Sequence, residues 1–314
     1  MRRVSMSALR AHTRGGPEQL EVEDLPLPEP HHDEVLVEVR AAGITFAELG
    51  WDETWTRDGR SRLPIIPAHE FSGVVSKVGV GVSDFHVGDD VLGTVPFDQD
   101  GAAASFVRVP TTHIARKPRG LPHITAAALP LAGMTAWQAL VGHGRLERGE
   151  RVLVHGAAGS VGTIAVQLAR ALGADVSATA RSTDHDFVRG LGAQGVIDLA
   201  DFDRLAGIYD IVIDTIGGST AERSVATLRS GGRLICLTGP APDHDRTDVT
   251  ATFFVVTPQP SVLAELADLA CRGELVAPVA AIFPLERGRE AYESGATRPR
   301  APGKTVISVH GSHL

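Results

Sequence analysis

The stretch that decides the fold is Val152-Leu153-Val154-His155-Gly156-Ala157-Ala158-Gly159-Ser160-Val161-Gly162. Its apolar beginning predicts a buried strand, and apolar positions at helical spacing between Val161 and Ala169 predict a helix directly after it. Glycine at the turn lets the backbone approach a pyrophosphate, whose charge is stabilised by the free N–H groups and the positive end of the helix. A tight turn without a ligand is the alternative, but the βαβ context favours binding. The predicted cofactor-binding residues of this turn are Gly156, Ala158, Gly159, Ser160, Val161 and Gly162.

The next strand, over residues 175–179, ends in Ala178-Thr179-Ala180-Arg181-Ser182 and carries no carboxylate at its tip. A site that prefers NAD usually has Asp or Glu there to bind the ribose 2′-hydroxyl. The guanidinium of Arg181 and the hydroxyl of Ser182 suit a 2′-phosphate instead. The sequence therefore predicts NADP (NADPH) as the cofactor, bound in part by Thr179, Arg181 and Ser182. A solvated Arg181 at the entry of a helix is the alternative.

Strands and helices alternate after residue 120, which predicts a parallel sheet covered by helices on both faces. The predicted strands cover residues 151–155, 175–179, 195–198, 209–214, 232–237 and 253–256. The predicted helices cover residues 159–172, 183–191, 219–228 and 261–271, and Thr183 is expected to cap the second of them. The first 120 residues instead contain short β segments at 35–39, 71–80, 89–93 and 104–109, which predict a small barrel or sandwich.

Composition limits the classes of function. The chain has 314 residues, and 30 basic against 38 acidic side chains give a net charge of −8, which disfavours nucleic acid as a partner. Its two cysteines cannot form a disulfide framework. The longest uncharged stretch, residues 125–142, contains proline, glycine and many alanines and lacks the apolar character of a membrane span. We therefore expect a cytoplasmic protein without a membrane segment.

Further motifs stand in order along almost the whole chain. They are Gly15-Gly16-Pro17-Glu18, Ala41-Ala42-Gly43-Ile44, Pro67-Ala68-His69-Glu70, Val87-Gly88-Asp89-Asp90-Val91, Leu129-Pro130-Leu131-Ala132-Gly133-Met134-Thr135-Ala136-Trp137, Asp214-Thr215-Ile216-Gly217-Gly218 and Gly303-Lys304-Thr305-Val306. Together with the glycine-rich turn, these motifs resemble the medium-chain dehydrogenase/reductase superfamily, in its zinc-independent, quinone oxidoreductase-like (zeta-crystallin-like) branch.

The resemblance implies an α/β protein with two domains. A GroES-like β-barrel catalytic domain would cover 1–121 with 273–314, and a Rossmann NADP-binding domain with a doubly wound parallel sheet would cover 122–272. Thr215 and Gly217 would contact the cofactor, and Thr135 would lie beside the nicotinamide. Lys304 would approach the cofactor phosphates, a surface lysine being the alternative. A homodimer would form through an edge strand at 253–256, because an exposed apolar edge needs covering.

His69-Glu70 is similar to the zinc-ligating pair of the alcohol dehydrogenase members. A catalytic zinc needs three protein ligands, but Thr45 and Phe46 stand where those relatives place a cysteine, and Ala132 and Gly133 stand near the place of another ligand. We therefore predict no metal. A structural role is favoured for His69 and Glu70, with contact to substrate as the alternative. Asp243-His244-Asp245 is expected to be a solvated loop.

Without zinc, reduction of an electron-poor acceptor is the feasible chemistry, because a nicotinamide carries the hydride and the protein positions both partners. The resemblance makes residues 44–63 the segment that faces the substrate, with Thr45 and Trp51 as catalytic-site candidates beside Thr135. The aromatic side chains there suit a flat quinone or enone, or equally pack the barrel mouth. Glu48 could donate a proton, although a surface role is favoured. The only tyrosines, Tyr209 and Tyr292, lie in or beyond the Rossmann region, so the proton could come from solvent.

Three functions follow, in order of preference. The first is an NADPH-dependent reductase of a small, free quinone or α,β-unsaturated carbonyl. The second is an enoyl reductase acting on a polyketide or acyl thioester, for which Arg57, Arg60 and Arg62 would offer a basic docking patch for a carrier. The third is a noncatalytic NADPH-binding protein. Turnover with any acceptor separates the first two from the third.

Overall fold

The computed structural model describes residues 5–297 and 299–309, and within them the chain forms seventeen strands and eight α-helices. The strands are β1 (Ser5–Ala11), β2 (Leu20–Pro26), β3 (Glu34–Ile44), β4 (Thr56–Arg57), β5 (Arg60–Ser61), β6 (Glu70–Val78), β7 (Asp90–Thr94), β8 (Phe106–Pro110), β9 (Ile114–Arg116), β10 (Arg151–His155), β11 (Asp175–Thr179), β12 (Gly195–Ile197), β13 (Tyr209–Asp214), β14 (Leu228–Cys236), β15 (Thr250–Phe253), β16 (Val279–Pro284) and β17 (Lys304–Ser308). The helices are α1 (Asp52–Trp55), α2 (His123–Ala126), α3 (Pro130–Trp137), α4 (Ser160–Ala171), α5 (His185–Gly190), α6 (Ser219–Ser224), α7 (Pro260–Cys271) and α8 (Gly288–Glu293), and a π-helix follows α3 over Gln138–His143.

Contacts divide the chain into two units, residues 1–131 with 258–314 and residues 132–257. The second unit contains a six-stranded sheet in the order β12-β11-β10-β13-β14-β15, in which every neighbouring pair is parallel. This is the strand order of a Rossmann fold. Predicted strands 151–155, 175–179 and 209–214 coincide with β10, β11 and β13. The doubly wound parallel sheet is confirmed.

Three local predictions in this unit need correction. Residues 183–191 do not form one helix capped by Thr183, because a 3-10 turn over Ser182–Asp184 precedes α5. The predicted helix 219–228 is shorter, since α6 passes into a 3-10 turn and Leu228 already begins β14. The edge strand covers Thr250–Phe253, so residues 254–256 lie beyond it. Pairing with β14 ends at Cys236 opposite Phe253, and this register sets the limit of the strand.

The first unit is built around a seven-stranded sheet. Its order is β16-β17-β3-β6-β7-β9, with β8 pairing on β3 as well. β17 comes from the C-terminal part of the chain and lies antiparallel beside β3. Large buried side chains such as Phe71, Trp55 and Ile65 fill the interior. The GroES-like barrel is confirmed, and the strand β17 from the C-terminal segment is part of its sheet.

Helix α7 belongs to the first unit by its contacts. It packs against β9, and Cys271 at its end donates a 3.4 Å hydrogen bond from Sγ to the carbonyl of Arg119. The predicted domain limits, 122 and 272, place this helix with the Rossmann sheet instead. Among the described residues, no helix combines the length and the apolar character needed to cross a membrane.

Candidate active site

The glycine-rich turn joins β10 to α4 with very little space between them. Gly156 has φ of +68°, a left-handed conformation that favours glycine. A Cβ atom on Gly162 would lie 2.3 Å from the carbonyl oxygen of Gly156. No side chain caps the start of α4 at Gly159, so its first amides stay available to an anion. The turn therefore leaves backbone donors uncapped at the start of α4, and the binding of a pyrophosphate there stays a prediction.

A network of buried hydrogen bonds around His155 stabilises the strand that leads into this turn. The hydroxyl of Ser224 donates to the carbonyl of Thr220 at 2.6 Å, so it accepts from His155 Nε2 at 3.0 Å. His155 Nδ1 then accepts from the hydroxyl of Thr179, also at 3.0 Å. The hydroxyl of Thr215 donates to the carbonyl of His155 at 2.8 Å. Thr179 and Thr215 thus brace the strand that carries the turn.

Arg181 and Ser182 follow β11 and are both exposed. The guanidinium of Arg181 is paired with Asp184, at 2.8 Å from Nε and 2.7 Å from Nη2. This pair fixes the guanidinium at the carboxyl end of β11, the edge at which dinucleotides bind in such sheets.

A second turn follows β13. Asp214 is buried there and accepts hydrogen bonds from the amides of Ile216 at 2.9 Å and Gly217 at 3.0 Å. Burial raises the pKa of the Asp214 carboxyl, and the two amide bonds oppose this rise. Gly217 has φ of +82°, and a Cβ there would lie 2.3 Å from Thr238 Oγ1. Thr135 lies elsewhere, half-buried on α3.

A buried polar cluster surrounds Glu48 in the barrel unit. Glu48 is 1% exposed, so the surface role favoured from the sequence is wrong. Its Oε1 accepts from the Tyr292 hydroxyl at 2.6 Å and from the Thr45 amide at 3.1 Å. Its Oε2 accepts from the Ala68 amide at 3.2 Å. The sequence analysis sets Tyr292 aside because it lies beyond the Rossmann region, and no local signal pointed to its contact with Glu48.

Burial changes the pKa values of Glu48 and of the neighbouring His69. Burial raises the pKa of Glu48 to about 7, against the hydrogen bonds from Tyr292 and Thr45. His69 is also buried, and its Nε2 lies 3.8 Å from Glu48 Oε2. Burial and the Arg62 guanidinium lower the pKa of His69 to about 3. At neutral pH His69 is therefore an uncharged imidazole.

Aromatic side chains line the same region. The ring of Phe97 makes edge contacts with His69 and Trp51, at centroid distances of 5.3 Å and 5.4 Å. Trp51 is half-buried, whereas Trp55 is buried and donates from Nε1 to the carbonyl of Leu49 at 2.8 Å. Trp55 therefore packs the barrel, and Trp51 has surface left for a ligand.

Lys304 is buried, at 3% exposure, which excludes the surface alternative. Its Nζ forms an ion pair with Glu70 Oε1 and donates to Thr45 Oγ1 at 3.3 Å. The other oxygen of Glu70 accepts from the Leu131 amide at 3.0 Å. Glu70 is thus occupied by an ammonium and an amide. Within the described residues, no group of three or more His, Cys, Asp or Glu side chains could hold a metal ion.

Known proteins match both units. The family model of the alcohol dehydrogenase GroES-like domain matches residues 31–119, and that of zinc-binding dehydrogenase matches residues 191–307. The chain is 33% identical to the chloroplastic NADPH-dependent alkenal/one oxidoreductase of Arabidopsis thaliana, over 93% of this chain and 77% of that protein.

Solved structures agree with these matches. The quinone oxidoreductase of Coxiella burnetii superposes with a TM-score of 0.88 at 28% identity, covering 98% of this chain and all of the other. The CurK enoyl reductase gives 0.82 at 27% identity, covering 96% and 99%. The chain therefore belongs to the medium-chain dehydrogenase/reductase superfamily, in its zinc-independent, quinone oxidoreductase-like branch, and is an NAD(P)-dependent oxidoreductase.

Proposed function

We propose that the protein reduces a small, free quinone or α,β-unsaturated carbonyl with NADPH and without zinc. The observation that carries the cofactor choice is the exposed guanidinium of Arg181 beside Ser182, which Asp184 orients at the end of a strand without a carboxylate at its tip. A fork of N–H donors and a hydroxyl suit a 2′-phosphate. The names of the alkenal/one oxidoreductase and the quinone oxidoreductase support the acceptor class.

The residues that would hold the cofactor lie on two turns. The amides at the start of α4 would bind the pyrophosphate, with Gly156, Gly159 and Gly162 allowing its approach. The turn after β13, with Thr215 and Gly217, would bind beside it. A bound nicotinamide supplies the hydride. Reduction of the acceptor leaves negative charge on an oxygen, and hydroxyl donors stabilise such charge.

The donor set of the barrel does not fit zinc. Of the expected ligands only His69 and Glu70 are present, and Glu70 is already paired with Lys304 and the Leu131 amide. A catalytic zinc needs three protein ligands and one open position. We therefore propose Thr45 and Trp51, with Thr135, as the residues that meet the acceptor.

The test follows the loss of NADPH absorbance, with NADH in parallel, against quinones, enones and simple aldehydes before and after dialysis with a chelator. We expect NADPH to be consumed with a quinone or enone and the chelator to have no effect. Preference for NADH would contradict the role of Arg181, and loss of activity with the chelator would contradict the zinc-free assignment. Binding of NADPH without any turnover would favour a noncatalytic binding protein.

An enoyl reductase acting on a polyketide or acyl thioester is the second candidate. Likeness to the CurK enoyl reductase supports it. A carrier protein would need a basic surface, but Arg57 pairs with Asp98 at 3.2 Å and Arg62 with Asp100 at 3.3 Å. These pairs neutralise two of the three arginines considered for docking, so we rank this candidate lower. Inhibition of small-enone reduction by an acyl carrier protein would raise it above the first.

A cytoplasmic homodimer joined through β15 is also part of the proposal. Phe253 is 41% exposed and Val255 just beyond the strand is 57% exposed. An apolar edge of this kind favours pairing with a second copy. Sedimentation should give the mass of a dimer, and Phe253→Lys should shift it to that of a monomer.

A further inference from the structure

Three residues at the ends of three adjacent strands meet at one end of the barrel sheet. β3 lies between β17 and β6, with Thr305 opposite Ile44 on one side and Glu70 opposite Gly43 on the other. Lys304 begins β17 and Thr45 directly follows β3. The ammonium of Lys304 therefore lies between Glu70 and the hydroxyl of Thr45.

The carboxylate of Glu70 is held in place by close packing. A Cβ atom on Gly43 would lie 2.8 Å from Glu70 Cγ and 2.5 Å from the carbonyl oxygen of Ala127. The Leu131 amide holds the second carboxylate oxygen. Glu70 is fully buried, so it keeps the ammonium against it and aimed at Thr45.

This arrangement determines the role of the Thr45 hydroxyl as an acceptor towards Lys304. A lysine ammonium has three donors and no acceptor, so Thr45 Oγ1 must accept from Lys304. In the part of the chain that the structure describes, no acceptor takes the Thr45 hydroxyl hydrogen. Thr45 is half-buried while Lys304 and Glu70 are buried. Of the three, only Thr45 offers its proton to a ligand.

We propose that Lys304, positioned by Glu70, delivers a proton through the Thr45 hydroxyl to the oxygen of the reduced acceptor. This inference rests on the proposed quinone or enone reduction. Addition of hydride to the β-carbon of an enone moves an electron pair to the carbonyl oxygen. That oxygen takes the Thr45 proton, and Thr45 takes one from the ammonium of Lys304. Solvent then returns a proton to the buried amine through the half-buried Thr45 hydroxyl before the next turnover. A quinone is reduced in the same way, with a phenolate oxygen as the proton acceptor.

The first test compares Thr45→Val, which keeps the shape and removes the hydroxyl, with Thr45→Ser, which keeps it. Thr111→Val, at another partly exposed threonine of the barrel unit, is the matched control. General acid catalysis contributes about 10²- to 10⁴-fold, so we expect Thr45→Val to lower kcat by about 100-fold. The KM of the acceptor and the Kd of NADPH, measured by fluorescence titration, should change by less than about threefold, which is within 0.7 kcal/mol. Thr45→Ser should keep kcat close to that of the wild type.

The second test addresses Lys304. Removing it alone would leave Glu70 buried without its cation, so Lys304→Met is combined with Glu70→Gln. If both residues act in one relay, adding Thr45→Val to this pair should lower kcat no further. The Kd of NADPH should stay near that of the wild type. A large loss of NADPH binding would assign Lys304 to the cofactor phosphates and overturn the relay.

Wild-type protein that reduces no acceptor would overturn the proposed function, and this inference with it. An active wild type whose Thr45→Val variant keeps its kcat would overturn the relay alone.

Discussion

The phenol of Tyr292 donates a 2.6 Å hydrogen bond to Glu48 Oε1, across 244 positions of the chain. Both side chains are buried, and the Thr45 and Ala68 amides complete the environment of this carboxyl. One buried acid thus ties the C-terminal helix α8 to the loop after β3 and to the approach to β6. Thr45, which we place at the substrate, is held directly by it.

Stability should depend on the ionisation of Glu48. The folded pKa is about 7 against 4.5 for the free group, so the folded protein keeps a proton that the unfolded chain loses. Its stabilising effect is complete below pH 4.5 and is lost as pH rises to about 7, an upper limit of about 3 kcal/mol at ~1.4 kcal/mol per pH unit. The glutamine side chain of the Glu48→Gln variant cannot ionise. Relative to wild type, its free energy of unfolding should therefore rise by about 2–3 kcal/mol between pH 5 and pH 8.

Urea unfolding at the two pH values measures this difference. Glu53→Gln, at an exposed position of α1, is the matched control and should leave the pH dependence unchanged. Parallel pH curves for Glu48→Gln and wild type would show that Glu48 is already ionised in the folded protein at acid pH.

His69 should make stability depend on pH in the opposite direction. Its pKa is about 3 in the folded protein and 6.5 in the free group. Between these values the unfolded chain binds a proton and the folded protein does not. Stability present above pH 6.5 is lost as pH falls towards about 3. His69→Leu should therefore gain about 2–3 kcal/mol relative to wild type between pH 7 and pH 4.5, measured by urea unfolding. His86→Leu, at an exposed histidine, should gain nothing. An equal gain in both variants would mean that burial of His69 is not the cause.

Arg181→Ala should weaken NADPH binding and leave NADH binding almost unchanged. Losing charge-assisted hydrogen bonds to a phosphate costs about 1.5–3 kcal/mol, or about 10- to 100-fold in Kd. Fluorescence titration with each nucleotide measures it. Arg189→Ala removes another exposed arginine, which pairs with Asp186 on α5, and is the control. Equal losses for both nucleotides would show that Arg181 does not read the 2′-phosphate.

Gly162→Ala should disturb the turn at β10. The added Cβ would meet backbone atoms of Gly156 and Ala157 at 2.3 Å and 2.7 Å, which a side-chain movement cannot relieve. Overpacking of this kind costs about 1–3 kcal/mol of unfolding free energy, and we expect nicotinamide binding to fall with it. Gly190→Ala is the contrasting variant, because open space surrounds that glycine at the end of α5. It should gain up to about 1 kcal/mol. Equal stability of the two variants would contradict the close packing.

Local patterns determined the alternation of strands and helices and the position of the glycine-rich turn. Strands β10, β11 and β13 fall at the predicted residues because each is an apolar run bounded by turn residues, a signal that needs no distant partner. The edge strand was misplaced because residues 253–256 look equally extended in sequence, whereas pairing with β14 ends at Phe253.

Only the tertiary structure determines which charged residues are buried and which partners they have. Glu and Lys are rarely buried, so a sequence places Glu48 and Lys304 at the surface by default. Pairing of β17 with β3, and of β3 with β6, brings Lys304 beside Glu70 across 234 positions. Burial of these charges is tolerable only because the ammonium, the carboxylate, the phenol and the backbone amides meet there. No local pattern encodes that meeting, since each partner comes from a different part of the chain.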